Sequence, residues 1–431
     1  MSFPSASLGP LRDGARVVVV GGGPAGAGTA LALNRLARRM GRAIDITVFE
    51  GKVFAGERHF NQCAGVLSPP IADVMEESLG IPFPRHLIQR QIAGYVLHSD
   101  RRAILLDSDD PPSYVVRRVQ FDDHLLESAR AVGIRVVAGR VTDLEFHDDR
   151  VVVYAENGNA EADVVVGAFG ADDGAAAVFR RATEYRPPRF LSSIVTKIHP
   201  GPELMAAFGN RIHAFLPSMA GVEFGAVTPK GNHLTTNIAG ENVDAGTMHA
   251  FLGRDAVRSV MPRREDAKGK RDLAFFKGRF PTSPARAFHG DRWVAVGDAA
   301  GLVRPFKGKG VTSAIVTGAR AAETILRHGI SQRAFSRYRW ACRDIIDDLP
   351  YGRFMRALAM ALRKLNLLDP VMALAERDDR LRRALFGAVS AQSTYRAIVH
   401  DLSSPLWIAR MLPRLAALPF GTPRQRDAEV E

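Results

Sequence analysis

The order of apolar and polar residues near the N-terminus predicts a strand, a turn, a helix and a second strand. Residues 17–20 are an unbroken apolar run, residues 27–40 repeat apolar side chains at helical spacing, and residues 44–50 alternate. A continuous apolar run is typical of a buried parallel strand, and the helical repeat is typical of an amphipathic helix. The segment therefore predicts one β–α–β unit.

The turn of this unit reads GGGPAG over residues 21–26, which is the glycine spacing of a dinucleotide-binding loop. Gly21 makes the tight turn, Gly23 lets backbone N–H groups approach a pyrophosphate, and Gly26 lets the helix pack closely on the sheet. The helix N-terminus then faces the phosphates with its partial positive charge. Glu50 ends the second strand, where a carboxylate accepts hydrogen bonds from ribose hydroxyls. We predict a dinucleotide site here; a purely structural glycine turn is the alternative.

The rest of the chain predicts further elements in several segments. A short helix is expected at 71–79, strands between 91 and 116, a helix at 121–132 and strands between 136 and 166. Beyond a proline-rich crossover at 185–188, strands are expected at 212–216, 222–227 and 234–238, and a helix at 248–260. A strand at 293–296, a helix at 311–328 and an arginine-rich helical region from 331 to 420 follow.

Length and composition are those of a globular protein of two domains. The chain has 431 residues, of which 46% are hydrophobic, and its first residues lack the apolar core of a secretory signal. No run of about 18 apolar residues occurs, so we expect no spanning helix. The two cysteines, Cys63 and Cys342, are too few for a disulfide framework, and a cytoplasmic location is therefore expected.

The formal net charge of +12 at pH 7 would suit an acidic protein, an anionic lipid surface or a phosphorylated substrate. The arginine-rich composition that a GC-rich genome gives would produce the same charge. Because the arginines are spread along the chain and are not clustered with aromatic residues, no nucleic-acid partner is expected. The 12 histidines show no metal-ligand spacing, so no metal site is expected either.

A second candidate site is the turn at residues 297–301, which reads GDAAG. It follows a predicted strand, precedes a predicted helix and places Asp298 inside the turn. An ordinary nicotinamide dehydrogenase has no need of a second acidic turn so far along the chain. A flavin dinucleotide does, because its ribityl chain and isoalloxazine ring extend well beyond the adenosine half. The two turns together therefore favour a flavin.

These motifs resemble the flavoprotein superfamily of aromatic hydroxylases and, within it, the geranylgeranyl reductase family, over residues 17 to about 399. The pair Pro24 and Ala25 in the glycine loop is typical of FAD enzymes, and the loop around Cys63 is similar to the family's cysteine–glycine loop. The resemblance implies an α/β fold with an FAD-binding Rossmann-like (GR2-type) domain, an inserted antiparallel-sheet substrate domain and a C-terminal helical region.

The boundaries expected for this organisation follow the predicted elements. They place the FAD-binding domain at 14–90, 119–184 and 291–330, the substrate domain at 91–118 and 185–290, the C-terminal helical region at 331–420 and a tail at 421–431.

The resemblance also implies residues that bind FAD. Arg118 matches an arginine that contacts FAD, Asp173 lies in a segment that supports the cofactor, and Asp298 is expected to bind ribityl or ribose hydroxyls. The helix that starts at Val311 would point its N-terminus at the flavin pyrimidine, where reduction places negative charge. The other cofactor-binding residues expected around this turn are Gly297, Gly308 and Gly310.

Two residues are candidates for catalysis. Cys63 is expected to donate a proton or to shape the flavin face, and an ordinary buried thiol is the alternative. Asn61 is expected to line the pocket, and a turn-capping role is its alternative. Both depend on the resemblance of the loop that carries them.

The predicted reaction is hydride transfer from reduced FAD to a carbon–carbon double bond of a prenyl lipid, quinone or pigment side chain. The expected partners are this hydrophobic small molecule and an electron donor, either transient NAD(P)H or an acidic protein. A monooxygenase, hydroxylase or halogenase on the same fold is the alternative, and a non-catalytic flavin-binding module is a third.

The segment 402–420 could add a peripheral membrane contact. Its apolar residues recur at helical spacing with Arg410 and Arg414 between them, which fits an element lying in an anionic headgroup layer. The alternative is a lid packed on the substrate domain. Pro405, Pro413 and Pro419 are expected to break any long helix there.

Overall fold

The computed structural model describes residues 8–54, 62–107, 110–261, 273–304 and 310–416. The chain divides into two compact units. The first comprises Met1–Gln89, Ser113–Leu191 and Arg279–Pro350, and the second comprises Arg90–Pro112, Ser192–Gly278 and Tyr351–Glu431. The predicted site residues Asn61 and Gly308 lie outside the described ranges.

The strands follow one another along the chain in short segments. They are β1 Arg16–Val20, β2 Asp45–Glu50, β3 Val66–Leu67, β4 Ile88–Ile92, β5 Gly94–His98, β6 Ala103–Asp107, β7 Ser113–Val116, β8 Arg135–Ala138, β9 Val141–Phe146, β10 Val151–Ala155, β11 Ala160–Ala162, β12 Val164–Gly167, β13 Phe190–Ile198, β14 Arg211–Phe215, β15 Val222–Pro229, β16 Leu234–Gly240, β17 Phe275–Pro281, β18 His289–Gly290 and β19 Trp293–Ala295.

The helices become more frequent toward the C-terminus. They are α1 Pro24–Arg39, α2 Ile71–Val74, α3 Arg118–Ala131, α4 Asp173–Ala182, α5 Pro202–Phe208, α6 Ala245–Leu252, α7 Asp255–Arg258, α8 Gly297–Ala300, α9 Gly310–Arg327, α10 Gln332–Ala341, α11 Arg343–Ile346, α12 Leu349–Lys364, α13 Leu368–Ala375, α14 Asp379–Ser390, α15 Tyr395–Leu402 and α16 Pro405–Ala416. A π-helical turn, Met75–Leu79, continues α2.

The first unit is built on a six-stranded sheet in the order β18-β19-β12-β1-β2-β8. The strands from β19 to β8 run parallel, and β18 is antiparallel to β19. Because β1 lies at the centre, both of its faces are covered, and this accounts for its unbroken apolar run. The predicted α/β class with a parallel sheet is thereby confirmed.

Helices α1 and α9 pack against each other through small residues. A Cβ atom at Gly28 would lie 3.4 Å from the Cα atom of Ile315, and one at Gly318 would lie 2.5 Å from Oγ1 of Thr29. Larger side chains at either glycine would separate the two helices. The close packing places two strand–turn–helix units side by side on the sheet.

The second unit contains a seven-stranded sheet in the order β17-β13-β16-β15-β14-β5-β6. Its strands pair mostly antiparallel, with β14 and β5 as a parallel pair. Side chains from the sheet and from α6 and α7 form an apolar core that includes Phe215, Ile238 and Phe251. Most of α12 and helices α13 to α16 belong to the same unit, whereas α10 and α11 belong to the first; the C-terminal part of the chain is helical, as predicted.

Two predicted elements differ from the structure. The helix predicted at 248–260 is two short helices, α6 and α7, because the first ends at Gly253. The segment predicted as one interfacial element from 402 is divided between α15 and α16. Pro405 opens α16, where a missing N–H costs nothing, and Pro413 lies inside it.

Within the described ranges, no helix has both the length and the apolar character needed to cross a membrane. No group of three or more His, Cys, Asp or Glu side chains in that part of the chain could hold a metal ion.

A buried histidine pair in the second unit should make stability depend on pH. Nε2 of His98 lies 2.8 Å from Nδ1 of His213. Burial and the neighbouring imidazole lower the pKa of His98 to about 3. Burial and the charge of Arg211 lower the pKa of His213 to about 4. The folded pair is therefore neutral where an ordinary histidine with a pKa of 6.5 binds a proton.

Since the unfolded chain binds these protons first, stability is fully present above pH 6.5 and is lost as the pH falls toward 4. We expect the free energy of unfolding to fall by up to about 3 kcal/mol per pH unit in this window, since two protons are involved. Urea unfolding monitored between these pH values measures the slope. A variant with both His98→Gln and His213→Gln should show a shallower slope; an unchanged slope would remove the pair as its cause.

Candidate flavin site

The three glycines of the loop serve two purposes, which are close packing inside the protein and space for a ligand. Gly21 has φ +105°, and a Cβ atom there would lie 2.6 Å from the carbonyl oxygen of Ala168. A Cβ atom at Gly26 would collide with the carbonyl oxygen of Gly21. At Gly23 no described atom lies within 4 Å of the added Cβ. The first two glycines are thus required by the protein's own packing, whereas Gly23 leaves the space that a ligand's phosphates would need.

The N-terminus of α1 has no side-chain cap among the described residues. Gly23 occupies the cap position in extended conformation, Pro24 and Ala25 form the first turn, and that turn contains no acidic residue. The free N–H groups at the start of a helix, together with its partial positive charge, bind anions. The loop therefore fits a diphosphate without a lysine.

Glu50 lies against this loop at the end of β2. Its Oε2 accepts a 2.7 Å hydrogen bond from the Gly22 N–H, and its Oε1 accepts one of 2.7 Å from the Lys52 N–H. Burial raises the pKa of Glu50, and these two backbone donors oppose the shift. Since each carboxylate oxygen has two lone pairs, the group retains capacity to accept bonds from ribose hydroxyls.

Asp298 lies in the short helix α8, before the start of α9. Its Oδ1 is buried and has no hydrogen-bond partner among the described residues. Burial raises the pKa of Asp298, and the charge of Arg118 opposes this rise. A buried acceptor without a donor costs free energy. The position therefore suits a ligand that brings hydroxyl donors.

The start of α9 lies beside Asp298. A Cβ atom at Gly310 would lie 3.3 Å from Oδ1 of Asp298, and Val311 is buried. Gly297 adopts φ +58°, and its Cβ would lie 3.0 Å from the Cβ of Ala25 on α1. These contacts bring the starts of α1 and α9 and the acidic turn to one place. Both helix N-termini can therefore act on a single anionic ligand.

Arg118 connects this place with the cysteine loop. Its Nε and Nη2 donate to Asp122 at 2.9 and 3.0 Å, and its Nη1 lies 3.7 Å from Sγ of Cys63. Burial disfavours the guanidinium charge, but Asp122, Cys63 and Asp298 outweigh it and raise the pKa of Arg118. The structure thus brings Cys63, Arg118 and Asp298 together.

The paired acids at the start of α4 have separate contacts. Oδ1 of Asp172 accepts a 2.9 Å hydrogen bond from the Ala175 N–H and caps the helix. Asp173 is exposed and forms a 2.5 Å ion pair with Arg279. The predicted cofactor role of Asp173 stays a prediction.

Two residues that support the site were absent from the sequence prediction. Asp122 holds Arg118, and its position four residues later on one helix face is a signal that could have identified it. Oγ1 of Thr317 accepts a 3.0 Å hydrogen bond from the Gly297 N–H. Nothing in the sequence indicates that contact, because it joins two segments 20 residues apart.

Comparison with known proteins finds similar reductases. No family model matches the sequence. Digeranylgeranylglycerophospholipid reductase 2 of Methanothermobacter thermautotrophicus is 28% identical over 414 residues, which are 91% of this chain and 98% of that protein. The chain is therefore similar to this reductase over almost its whole length, which supports a resemblance to the geranylgeranyl reductase family. A second reductase of this name from the same organism is 25% identical over 290 residues, which are 63% of this chain and 71% of that protein.

Two solved structures share the fold of this chain. A geranylgeranyl bacteriochlorophyll reductase-like protein from Thermoplasma acidophilum has a TM-score of 0.64 at 19% identity and covers 94% of this chain and 100% of its own. The p-nitrophenol 4-monooxygenase of Pseudomonas putida has a TM-score of 0.64 at 16% identity, covering 87% and 97%. The reductase relatives and the shared fold together support a flavin-dependent oxidoreductase.

Proposed function

We propose that the first unit binds FAD and that the enzyme reduces carbon–carbon double bonds of a prenyl lipid, quinone or pigment side chain. The observation that carries the proposal is the buried, unpartnered Oδ1 of Asp298 beside the start of α9. A ribityl or ribose hydroxyl would supply the missing donor. The glycine loop and Glu50 would hold the diphosphate and the adenosine ribose.

Each of the two units corresponds to one of the domains expected from the sequence. The first unit, with its parallel sheet, corresponds to a Rossmann-like FAD-binding domain of the GR2 type. The second unit, with its mostly antiparallel sheet, corresponds to a substrate domain. The substrate class is supported by the curated relatives, which are named as reductases of a digeranylgeranyl lipid.

Bound FAD, once reduced, would supply the hydride for the double bond. The chain's own residues would fix its position and supply the proton. The start of α9, at Gly310 and Val311, would stabilise negative charge on the pyrimidine end of the ring. Cys63, with Arg118 at 3.7 Å from its sulfur, would donate the proton. NAD(P)H or an acidic donor protein would provide the electrons, and the net charge of +12 suits the second.

Flavin content tests the first half of the proposal. The purified chain should be yellow or should turn yellow on reconstitution, and the flavin released by denaturation should be FAD. A chain that takes up no flavin, or that takes up FMN in preference, would contradict it.

Replacing Cys63 by alanine should slow double-bond reduction by about a hundred-fold, since general acid catalysis contributes on this order. Flavin content and the rate of flavin reduction by the donor should stay unchanged, because Cys63 acts only on the proton. Single-turnover rates at several pH values measure the effect. Cys342, which is buried and whose pKa burial raises to about 11, gives the matched control as Cys342→Ala. If Cys63→Ala and Cys342→Ala reduce the double bond at the same single-turnover rate, the Cys63 thiol has no role in proton transfer.

A monooxygenase or halogenase is the second candidate, because the monooxygenase of Pseudomonas putida shares the fold. Stopped-flow oxidation of the reduced enzyme by dioxygen separates the two. Slow reoxidation without a transient absorbing species supports reduction. A transient species before the oxidised spectrum returns supports oxygenation.

A further inference from the structure

Helix α12 is fixed to the second unit by one face. Nε of Arg356 lies 2.5 Å from Oε2 of Glu223, and Nη1 of Arg363 donates to the carbonyl oxygens of Pro217 at 2.9 Å and Val222 at 2.5 Å. This face also lines a cleft of about 470 Å³ beside β15. These contacts hold α12 in a defined orientation.

The opposite face carries an exposed apolar stripe. Phe354, Leu358 and Leu365 are 54%, 37% and 64% exposed. Leu365 directly follows α12, and its N–H donates a 2.9 Å hydrogen bond to the Ala361 carbonyl, which continues the helical turn. At 100° per residue the three side chains lie within about 40° of one another. Single exposed apolar residues are ordinary, but a stripe along one helix face marks a contact surface.

The charges along α12 are all positive. It contains Arg353, Arg356, Arg363 and Lys364 and no acidic residue. Arg356 is paired with Glu223, whereas Arg353 and Lys364 are exposed between the stripe and the cleft, which Arg353 also lines. Glu241 lies in the cleft on the other face. An apolar stripe with basic residues along one edge is the composition of a helix that lies on an anionic lipid surface.

We propose that the exposed face of α12, defined by Phe354, Leu358 and Leu365 with Arg353 and Lys364, docks on an anionic lipid bilayer. Basic side chains would contact lipid phosphates while the stripe enters the acyl boundary. A second copy of the chain is a poorer occupant, because it would bring the same basic residues face to face. The docking surface stands on α12 alone and does not require FAD to bind.

This surface differs from the one predicted at 402–420. On α16, Leu406 is 86% and Ile408 is 40% exposed, but residues two positions apart do not share a helix face. Trp407 and Met411 face inward, and Nε1 of Trp407 donates to Asp378 at 3.4 Å. The two exposed side chains of α16 therefore give a matched control of similar exposure.

Vesicle co-sedimentation of the full chain tests the proposal. The protein should bind vesicles of phosphatidylcholine with phosphatidylglycerol at least ten-fold more tightly than vesicles of phosphatidylcholine alone. The double variant Phe354→Ala, Leu365→Ala should bind the anionic vesicles about ten-fold more weakly. The double variant Leu406→Ala, Ile408→Ala should bind them as the wild type does. All three proteins should have the same thermal midpoint and the same flavin content.

Several results would overturn the docking surface. The first is that the wild type does not bind anionic vesicles. The second is that the double variant Phe354→Ala, Leu365→Ala binds them as tightly as the wild type. The third is that only the double variant Leu406→Ala, Ile408→Ala loses binding. If the double variant Phe354→Ala, Leu365→Ala has a different mass from the wild type in sedimentation velocity, a second copy of the chain covers this face instead. Since vesicle binding is read without turnover, a colourless chain that still binds vesicles would refute the proposed function and leave the docking surface supported.

Discussion

Replacing Asp298 by alanine is expected to produce a folded chain that is purified almost without colour. Oδ1 of Asp298 is buried and lacks a donor among the described residues, so a cofactor hydroxyl would make a charge-assisted bond there. Loss of one or two such bonds weakens binding by about a hundred-fold or more. Titration of the flavin-free protein with FAD, followed by flavin fluorescence, measures the change.

Stability of the flavin-free Asp298→Ala protein separates a binding role from a folding role. The unpartnered carboxylate costs free energy in the wild type, so its removal should leave the thermal midpoint equal or higher. The exposed Asp379 gives the control Asp379→Ala, which should bind FAD as the wild type does. A variant that melts early, or one that keeps its FAD affinity, would contradict the role given to Asp298.

Alanine at Gly23 should leave the stability of the flavin-free protein almost unchanged, whereas alanine at Gly26 should lower it. The Cβ of Gly23→Ala meets no described atom within 4 Å, and Gly23 has φ −68°, which alanine adopts without strain. Its stability should therefore change by less than about 0.5 kcal/mol. The Cβ of Gly26→Ala collides with the Gly21 carbonyl, so α1 must shift, and a loss of about 2 kcal/mol or more is expected.

FAD affinity should fall in both glycine variants, by about a hundred-fold, but for different reasons. In Gly23→Ala the methyl group occupies the space of the phosphates, whereas in Gly26→Ala the loop itself is displaced. Urea unfolding of the flavin-free proteins and FAD titration, taken together, measure the two effects. If Gly23→Ala binds FAD normally, the loop is a structural turn and not a cofactor cradle.

The elements that local pattern determines were predicted within a few residues. The strand, helix and second strand predicted at the N-terminus correspond to β1, α1 and β2. They could be predicted because a strand buried at the centre of the sheet has a continuous apolar sequence. The turn at 297–301 and the helix after it correspond to α8 and α9.

Elements whose burial has no simple period were not predicted. Strand β13 pairs with β16 over seven residues, but its buried and half-buried positions do not alternate. Helices α6 and α7 were predicted as one, since apolar spacing continues past the Gly253 stop. In these places tertiary packing, and not local pattern, decides the structure.

The site residues also divide into those that local sequence pattern indicates and those that depend on tertiary packing. Sequence spacing indicated the glycine loop, Glu50 and Asp298, because each is fixed by its position after a strand. It could not indicate that Arg118 reaches Cys63, which lies 55 residues away, or that the Asp298 oxygen lacks a donor. Those facts depend on how separate segments pack.

The proposed reaction is tested most directly by an anaerobic single turnover. Enzyme reconstituted with FAD and chemically reduced is mixed with a lipid that carries a geranylgeranyl chain, and both the flavin spectrum and the product mass are recorded. Hydride transfer predicts that flavin oxidation and product appear together without dioxygen, and that each oxidised flavin corresponds to one product heavier by two hydrogen atoms. A reduced flavin that stays reduced until dioxygen is admitted, followed by a product that contains an added oxygen atom, would contradict the proposed double-bond reduction.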